Sequence, residues 1–277
     1  SFDTETNHID ANEAELVGLS FSYKDAEGYY VPCPQDEEGV IRILNHFKSL
    51  FADESIVWIG QNIKYDLLVL KWYGFELKGK VFDTMLAHYV IESEGRRNMD
   101  LLSAQYLGYL PVSIDELIGK KGKSQGTMRD VALEKIKEYA VEDADITLQL
   151  KYAFVPHLKS KNVEKVFNEV ESPLIKVLAD MEYEGVKVDM DFLNLYSKQL
   201  EAEAKKCEES VYEQAGIRFN LASPKQLGEV LFNKMQLGNK IKKKKGGQNA
   251  TGEDVLLKRA KENPIGEDIF NLREITK

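Results

Sequence analysis

Residues 16–23, Leu-Val-Gly-Leu-Ser-Phe-Ser-Tyr, place apolar side chains at 17, 19, 21 and 23, the two-residue period of a strand. Asp25-Ala26-Glu27-Gly28 has turn composition and Tyr29-Tyr30-Val31 resumes the pattern beyond it, which predicts a hairpin. Val40, Ile41, Ile43, Leu44, Phe47 and Leu50 then recur at helical spacing, and Ile56-Val57-Trp58-Ile59-Gly60 is a short continuous apolar run of the kind a buried strand shows. Strands alternating with helices to about residue 160 predict an α/β fold, a sheet layered with helices.

From Val166 onward the pattern becomes helical. Leu174, Ile175, Val177, Leu178 and Met181 lie mostly three and four apart, Tyr183-Glu184-Gly185 reads as a stop, and 192–214 is a second long helix rich in Glu, Lys and Ala. Ser223-Pro224 supplies an N-cap followed by proline at the first helical position, opening a helix through Phe232. Two domains are therefore expected, 1–165 and 166–277. Between Lys240 and Lys245 five of six residues are lysine, followed by Gly246-Gly247, which reads as a loop.

Composition narrows the class. A chain of 277 residues with 43% hydrophobic and 30% charged residues builds globular cores, and no run approaches the roughly 18 apolar residues of a membrane span. Cys33 and Cys207 form neither a disulfide framework nor a four-thiolate zinc site, so a reducing cytoplasm fits. His8, His46, His88 and His157 show no zinc-ligand spacing. With 46 acidic residues against 37 Lys plus Arg, the net charge of -9 argues against coating duplex nucleic acid by bulk charge, though not against holding it through cations and local basic loops. No signal or transit sequence precedes Phe2, and the chain reads as a segment of a longer protein entered in its first strand.

Three acidic stations stand where a metal site needs them. Asp3 and Glu5 are two apart on a strand and share a side; side by side they repel unless a cation lies between, or they are two solvated acids on a surface strand. Asp66 follows the buried strand ending at Gly60, on the first turn of the next helix and beyond the sheet edge where α/β sheets place their sites; it equally suits a helix N-terminus. Within a helix from about Leu133 to Tyr152, Tyr139 and Asp143 are four apart on one face, a pairing that a core aromatic also explains. Glu142 and Asp145 point elsewhere and read as solvated.

The three blocks, Phe2-Asp3-Thr4-Glu5-Thr6, Gly60-Gln61-Asn62-Ile63-Lys64-Tyr65-Asp66 and Tyr139-Ala140-Val141-Glu142-Asp143-Ala144-Asp145, occur in this order. Together they resemble the Exo I, Exo II and Exo III motifs of the DEDD exonucleases, tyrosine type. Phe82-Asp83-Thr84-Met85-Leu86 and Gly95-Arg96-Arg97-Asn98-Met99-Asp100 extend the resemblance to the bacterial DNA polymerase I family (family A). Phe219-Asn220-Leu221-Ala222-Ser223-Pro224-Lys225-Gln226-Leu227 is similar to the start of that family's thumb.

The resemblance implies a ribonuclease H-like fold, a mixed sheet flanked by helices, followed by a mostly helical partial thumb. A 5′ nuclease domain would precede the chain, and the polymerase palm and fingers would follow Lys277. It implies a metal-dependent 3′-5′ exonuclease acting on the single-stranded or frayed 3′ end of DNA as a monomer in the bacterial cytoplasm, associated with the nucleoid. Asp3, Glu5, Asp66 and Asp143 match its metal ligands for two divalent ions, Mg²⁺ or Mn²⁺, with Zn²⁺ allowed at one site. Asp3 would bridge the two ions, Glu5 and Asp143 would complete the first, and Asp66 would hold the second mainly through water. Tyr139 matches the residue that positions the attacking water. Gln61 and Asn62 match residues near the terminal nucleotide, Ile9 an apolar wedge beside the last base, and Arg96 a contact to the backbone. Two rivals remain: an RNA 3′-end trimmer on the same motifs, and a silent module that only holds DNA. A silent module would lack one or more of the acids.

Overall fold

The structure is a computed structural model that describes residues 1–237 and 263–276; the Lys240–Lys245 run lies outside the described residues. Two compact units divide between Val186 and Lys187.

In the first unit, β1 (Phe2–Thr6), β2 (Leu16–Lys24) and β3 (Glu27–Pro32) form an antiparallel sheet in that order, and the expected hairpin is β2–β3. Helices α1 (Glu37–His46) and α2 (Lys48–Phe51) lead to β4 (Val57–Gly60), which crosses through α3 (Lys64–Trp72) to the parallel β5 (Lys80–Asp83). The mixed strand set is thus present as one antiparallel and one parallel piece.

Alternation along β1 decides what the site receives. Phe2 and Thr4 point to one face, Asp3 and Glu5 to the other. Phe2 is fully buried in an aromatic cluster, its ring 5.3 Å from Phe21 and 5.6 Å from Trp58. A one-residue slip of β1 would send this ring to the acidic face, so burial of Phe2 fixes the register that presents the carboxylates. Opposite Glu5 stands Gly18, where a Cβ would lie 2.2 Å from the Tyr30 hydroxyl oxygen; only glycine lets that ring cross the strand.

After β5 come α4 (Thr84–Ile91), α5 (Met99–Tyr106), α6 (Ile114–Ile118) and the 28-residue α7 (Leu133–Ser160). Helix α7 runs past Tyr152, where the sequence pattern placed its end, despite Pro156. Proline there removes one helical hydrogen bond, but Phe154 and Leu158 on the same stretch are buried in a core shared with Ile59, Phe82 and Phe167, and that burial outweighs the loss.

A short turn, α8 (Glu164–Val166), and a π turn (Phe167–Glu171) lead into α9 (Ser172–Glu184), which belongs to the first unit and extends it past the boundary expected at 165/166. Ile175 and Ala179 join the core of Phe2 and Leu70. Lys176 Nζ donates to the carbonyls of Leu77 (2.6 Å), Lys78 (3.1 Å) and Gly79 (2.6 Å). Lys64 and Lys71 of α3 pair with Glu182 and Asp180, and the Trp72 and Tyr183 rings lie 4.5 Å apart.

The second unit opens with α10 (Met190–Ala215), capped by Asp189 accepting from the Phe192 N–H at 2.9 Å and ended by Gly216 at φ 67. Ser223 caps α11 (Pro224–Gly228), a π turn (Glu229–Lys234) continues it, and α12 (Pro264–Ile275) follows. Val211, Ala215, Leu227, Leu231, Ile265 and Ile269 form its core, and Ser210 and Gln214 of α10 both donate to Asp268 of α12, at 2.6 and 2.7 Å. Among the described residues no helix is long and apolar enough to cross a membrane.

Lys176 is the polar fastening of α9, so Lys176→Met keeps the packing of its stem and removes the donor shared by three carbonyls. The variant is expected to lose about 1–3 kcal/mol in urea unfolding; unchanged stability would show that water replaces the ammonium without cost.

Candidate active site

Asp3 and Glu5 project from β1 toward α7, where Tyr139 and Asp143 stand one turn apart. A cleft of about 630 Å³ is lined by Asp3, Glu5, Ile9, Tyr139 and Asp143. Its far wall comes from the segment running from α6 to Met128 and includes Ile114, Lys121 and Gln125.

Glu5 and Asp143 are buried, and Asp3 is half-buried. Burial, then the neighbouring carboxylates, raise Asp3, Glu5 and Asp143 well above the usual range; Asp66 acts on Asp3, and Asp3 acts on both Glu5 and Asp143. Glu5 Oε1 is buried without a hydrogen-bond partner. The Tyr139 phenol is pushed far up, first by burial and then by Asp143 and Glu5, so it keeps its proton and acts as a donor.

Asp66 sits on the first turn of α3, 2% exposed. It does not line the cleft; its Oδ1 accepts from the Thr4 N–H at 2.9 Å and the Thr4 hydroxyl at 2.5 Å. Burial raises Asp66 to about 7 against the lowering pull of those hydrogen bonds. Thr4, between Asp3 and Glu5 on β1, therefore locks the second station to the first. Among the described residues no group of three or more His, Cys, Asp or Glu side chains is arranged to hold a metal ion as it stands.

Of the residues expected to meet nucleic acid, Ile9 reaches the cleft, and is 86% exposed. Gln61 is engaged internally, donating from Nε2 to the Arg97 carbonyl at 2.8 Å and accepting from the Thr84 hydroxyl. Asn62 takes a left-handed φ of 63, which asparagine tolerates better than most residues. It lines a second cavity of about 350 Å³ with Met85, Tyr89 and Arg97. Arg96 is exposed and outside both cavities. Its neighbour Arg97 instead holds the preceding loop, donating to the carbonyls of Glu92 (3.2 Å), Ser93 and Gly95 (3.1 Å), with its guanidinium 4.8 Å from the Tyr89 ring centre. Nothing in the Arg-Arg pair distinguishes the two in the sequence.

Glu142 and Asp145, read as solvated, are both engaged. Glu142 accepts from the Tyr109 hydroxyl and, at 2.8 Å, from the Val112 N–H; Asp145 accepts from the Ala26 N–H at 2.8 Å and from Gln149 at 2.8 Å. Local helix geometry turns both away from the cleft, as expected, but onto loops that fold back over α7. Asp83 has the most consequential supporting role that the residue pattern did not assign. Buried at the end of β5, it accepts from the Ile63 N–H (2.6 Å) and the Leu86 N–H (2.8 Å), fastening the turn before α3 and capping α4. An aspartate one residue before a helical run is the N-cap signal that locates it.

Comparison with known proteins identifies the family. A family model described as 3′-5′ exonuclease matches residues 1–159, and one described as DNA polymerase family A matches 190–277. The chain is 38% identical to DNA polymerase I of Pseudomonas aeruginosa over 95% of its own length and 30% of the relative's. It is 37% identical to DNA polymerase I of Rhizobium leguminosarum over 100% and 29%, so it spans about 30% of the length of the relatives it matches. A solved structure described as "POL domain of Pol1 from M. smegmatis complex with DNA primer-template and dNTP" superposes with a TM-score of 0.78 over 99% of this chain and 44% of that one, at 24% identity, and shares the fold. A cleft built on Asp3, Glu5, Tyr139 and Asp143, inside a match over residues 1–159, makes this chain a member of the 3′-5′ exonuclease family carried by bacterial DNA polymerase I.

Proposed function

We propose that this chain is the proofreading segment of a longer DNA polymerase and removes nucleoside 5′-monophosphates from a frayed 3′ end of DNA. The carrying observation is the convergence of Asp3, Glu5, Tyr139 and Asp143 on one cleft, with Asp66 close enough to raise the pKa of Asp3. That the M. smegmatis protein of the same fold was solved in complex with a DNA primer-template supports DNA as the partner.

The donor set fits two divalent cations, Mg²⁺ or Mn²⁺, with Zn²⁺ admitted at one. All four acids offer hard oxygen donors, their mutual repulsion calls for positive charge, and Glu5 Oε1 lacks any partner. When bound, such ions supply a hydroxide nucleophile near neutral pH and relieve charge on the leaving oxygen. Asp3, Glu5 and Asp143 would hold them from the cleft, and Asp66, oriented by Thr4, from beside it. Tyr139, a phenol at working pH, donates a hydrogen bond that orients the attacking oxygen and is not its base. Ile9 on the rim offers an apolar surface to the terminal base. Stacking and apolar contact require an unpaired strand and give slight sequence preference. The chain acts as a monomer in the cytoplasm, near the nucleoid.

A 5′-labelled single-stranded DNA with Mg²⁺ or Mn²⁺, with and without chelator, tests this reading. Stepwise shortening that chelator stops is expected; preferred cleavage of RNA would favour a trimming enzyme, and binding without cleavage a silent module. Asp3→Ala should abolish hydrolysis and keep the fold. Tyr139→Phe, which removes one hydrogen bond, should cost only about 10- to 100-fold; a variant as inactive as Asp3→Ala would give Tyr139 a larger role.

The same acids predict a pH dependence of stability. Because their native pKa values are raised, the folded metal-free protein binds more protons than the unfolded chain above the ordinary carboxylate range near pH ~4. Stability therefore falls as pH rises, for Asp66 up to about 7. The melting temperature in chelator should drop across this window, and Asp143→Asn should shrink the drop. A rise with pH in the wild type, or the same drop in the variant, would contradict the carboxylate account.

A further inference from the structure

We propose that the loop from Gly119 to Gly126 is a phosphate clamp for the substrate strand and that Lys121 is its contact residue; this rests on the exonuclease reading above. The cleft is acidic, with Asp3, Glu5, Asp115 and Asp143 on its walls, and among the described residues Lys121 is the one lysine or arginine in its lining. A polyanion approaching such a wall meets repulsion wherever no cation stands. Lys121 supplies fixed positive charge from the segment after α6, apart from the β1 and α7 elements that carry Asp3, Glu5 and Asp143, and Lys120 and Lys123, exposed on the same loop, add to the local field. No ion pair is found for any of the three among the described residues, so their charge is not spent on a protein carboxylate.

The loop is also fastened, which a clamp needs if it is not to lose its affinity to ordering. The Gly126 N–H donates to the Ile118 carbonyl at 2.8 Å, closing the loop at its base. Gln125 Nε2 donates to the Gly119 carbonyl at 3.1 Å, and the Gln125 N–H to the Gly122 carbonyl at 3.2 Å. Gly119, at φ 83, ends α6 in a conformation that side chains disfavour. Beyond the loop, Thr127 and Asp130 cap each other, the Thr127 hydroxyl donating to Asp130 at 2.8 Å. Upstream, Glu142 ties Tyr109 and Val112 to the helix that carries Asp143. The loop is thus closed on its own base at Ile118 and Gly119, and the segment that leads into α6 is tied to the helix that carries Asp143.

An ammonium in this place meets a phosphate as a compact point charge with no base preference, in keeping with an enzyme that removes any terminal nucleotide. Each phosphate neutralised on a single strand contributes about 0.7 to the slope of log affinity against log salt, which is about fivefold in affinity at ~0.1 M. The test is binding and cleavage of a short single-stranded DNA over a salt series by the full chain and by Lys121→Gln, Lys121→Arg and Lys48→Gln, the last outside the cleft lining. Lys121→Gln should flatten the slope by about 0.7 and raise KM by about fivefold at ~0.1 M salt, with kcat little changed. Lys121→Arg should keep the slope, and Lys48→Gln should behave as wild type. An unaltered slope in Lys121→Gln, an equal loss in Lys48→Gln, or a fall in kcat at fixed KM would overturn the clamp. Binding slopes are read without turnover, so they judge the clamp even if the wild type fails to cleave DNA, an outcome that would instead sink the exonuclease reading.

Discussion

Buried like charges are the constraint around which the first unit is arranged. Asp3, Glu5, Asp66 and Asp143 come from three separate stretches of chain, burial raises the proton affinity of each, and Asp3, Asp66 and Asp143 all act on Glu5 as well. An apolar core gains nothing from such a grouping, and without positive charge it costs stability. Its presence therefore has to be compensated by the scaffold and gains its meaning from what binds there.

The compensation is visible in the neighbours. Phe2 inserts into an aromatic cluster and fixes the strand on which Asp3 and Glu5 alternate outward. Thr4, between them and facing the opposite way, gives Asp66 two hydrogen bonds. Asp83 anchors the turn that starts the helix of Asp66. Asp145 and Glu142, flanking Asp143 on α7, draw the β2–β3 turn and the 109–112 segment onto that helix. Each of the four carboxylates thus has a polar or aromatic neighbour that fixes its place, and Glu5 Oε1 is left free of any bond.

Much of this was legible in the sequence because strand and helix periods act locally. The period of two put Asp3 and Glu5 on one face, and the i,i+4 spacing put Tyr139 beside Asp143; both follow from backbone geometry alone. The β2–β3 hairpin and the start of α11 at Ser223-Pro224 were readable for the same reason. What was not legible depends on contacts across long sequence separations. Nothing near Glu142 announces Tyr109, and nothing near Lys176 announces the carbonyls of 77–79, so α9 read as the start of the next domain although it packs on the first unit. The long reach of α7 past Pro156 was hidden because burial of Phe154 and Leu158 overrides a local signal. Arg97 and Arg96 differ only in where the loop aims them.

Burial pushes all four acids toward the protonated form, so the cations proposed for this site would displace protons as they bind. Calorimetric titration of the metal-free protein with Mn²⁺ at about pH 6, in two buffers of different ionisation enthalpy, counts the protons released on binding. The account predicts net release that dwindles toward zero as the titration is repeated at higher pH, where the acids are already ionised. Binding with no proton release at the lower pH, or release that grows as the pH is raised, would contradict it.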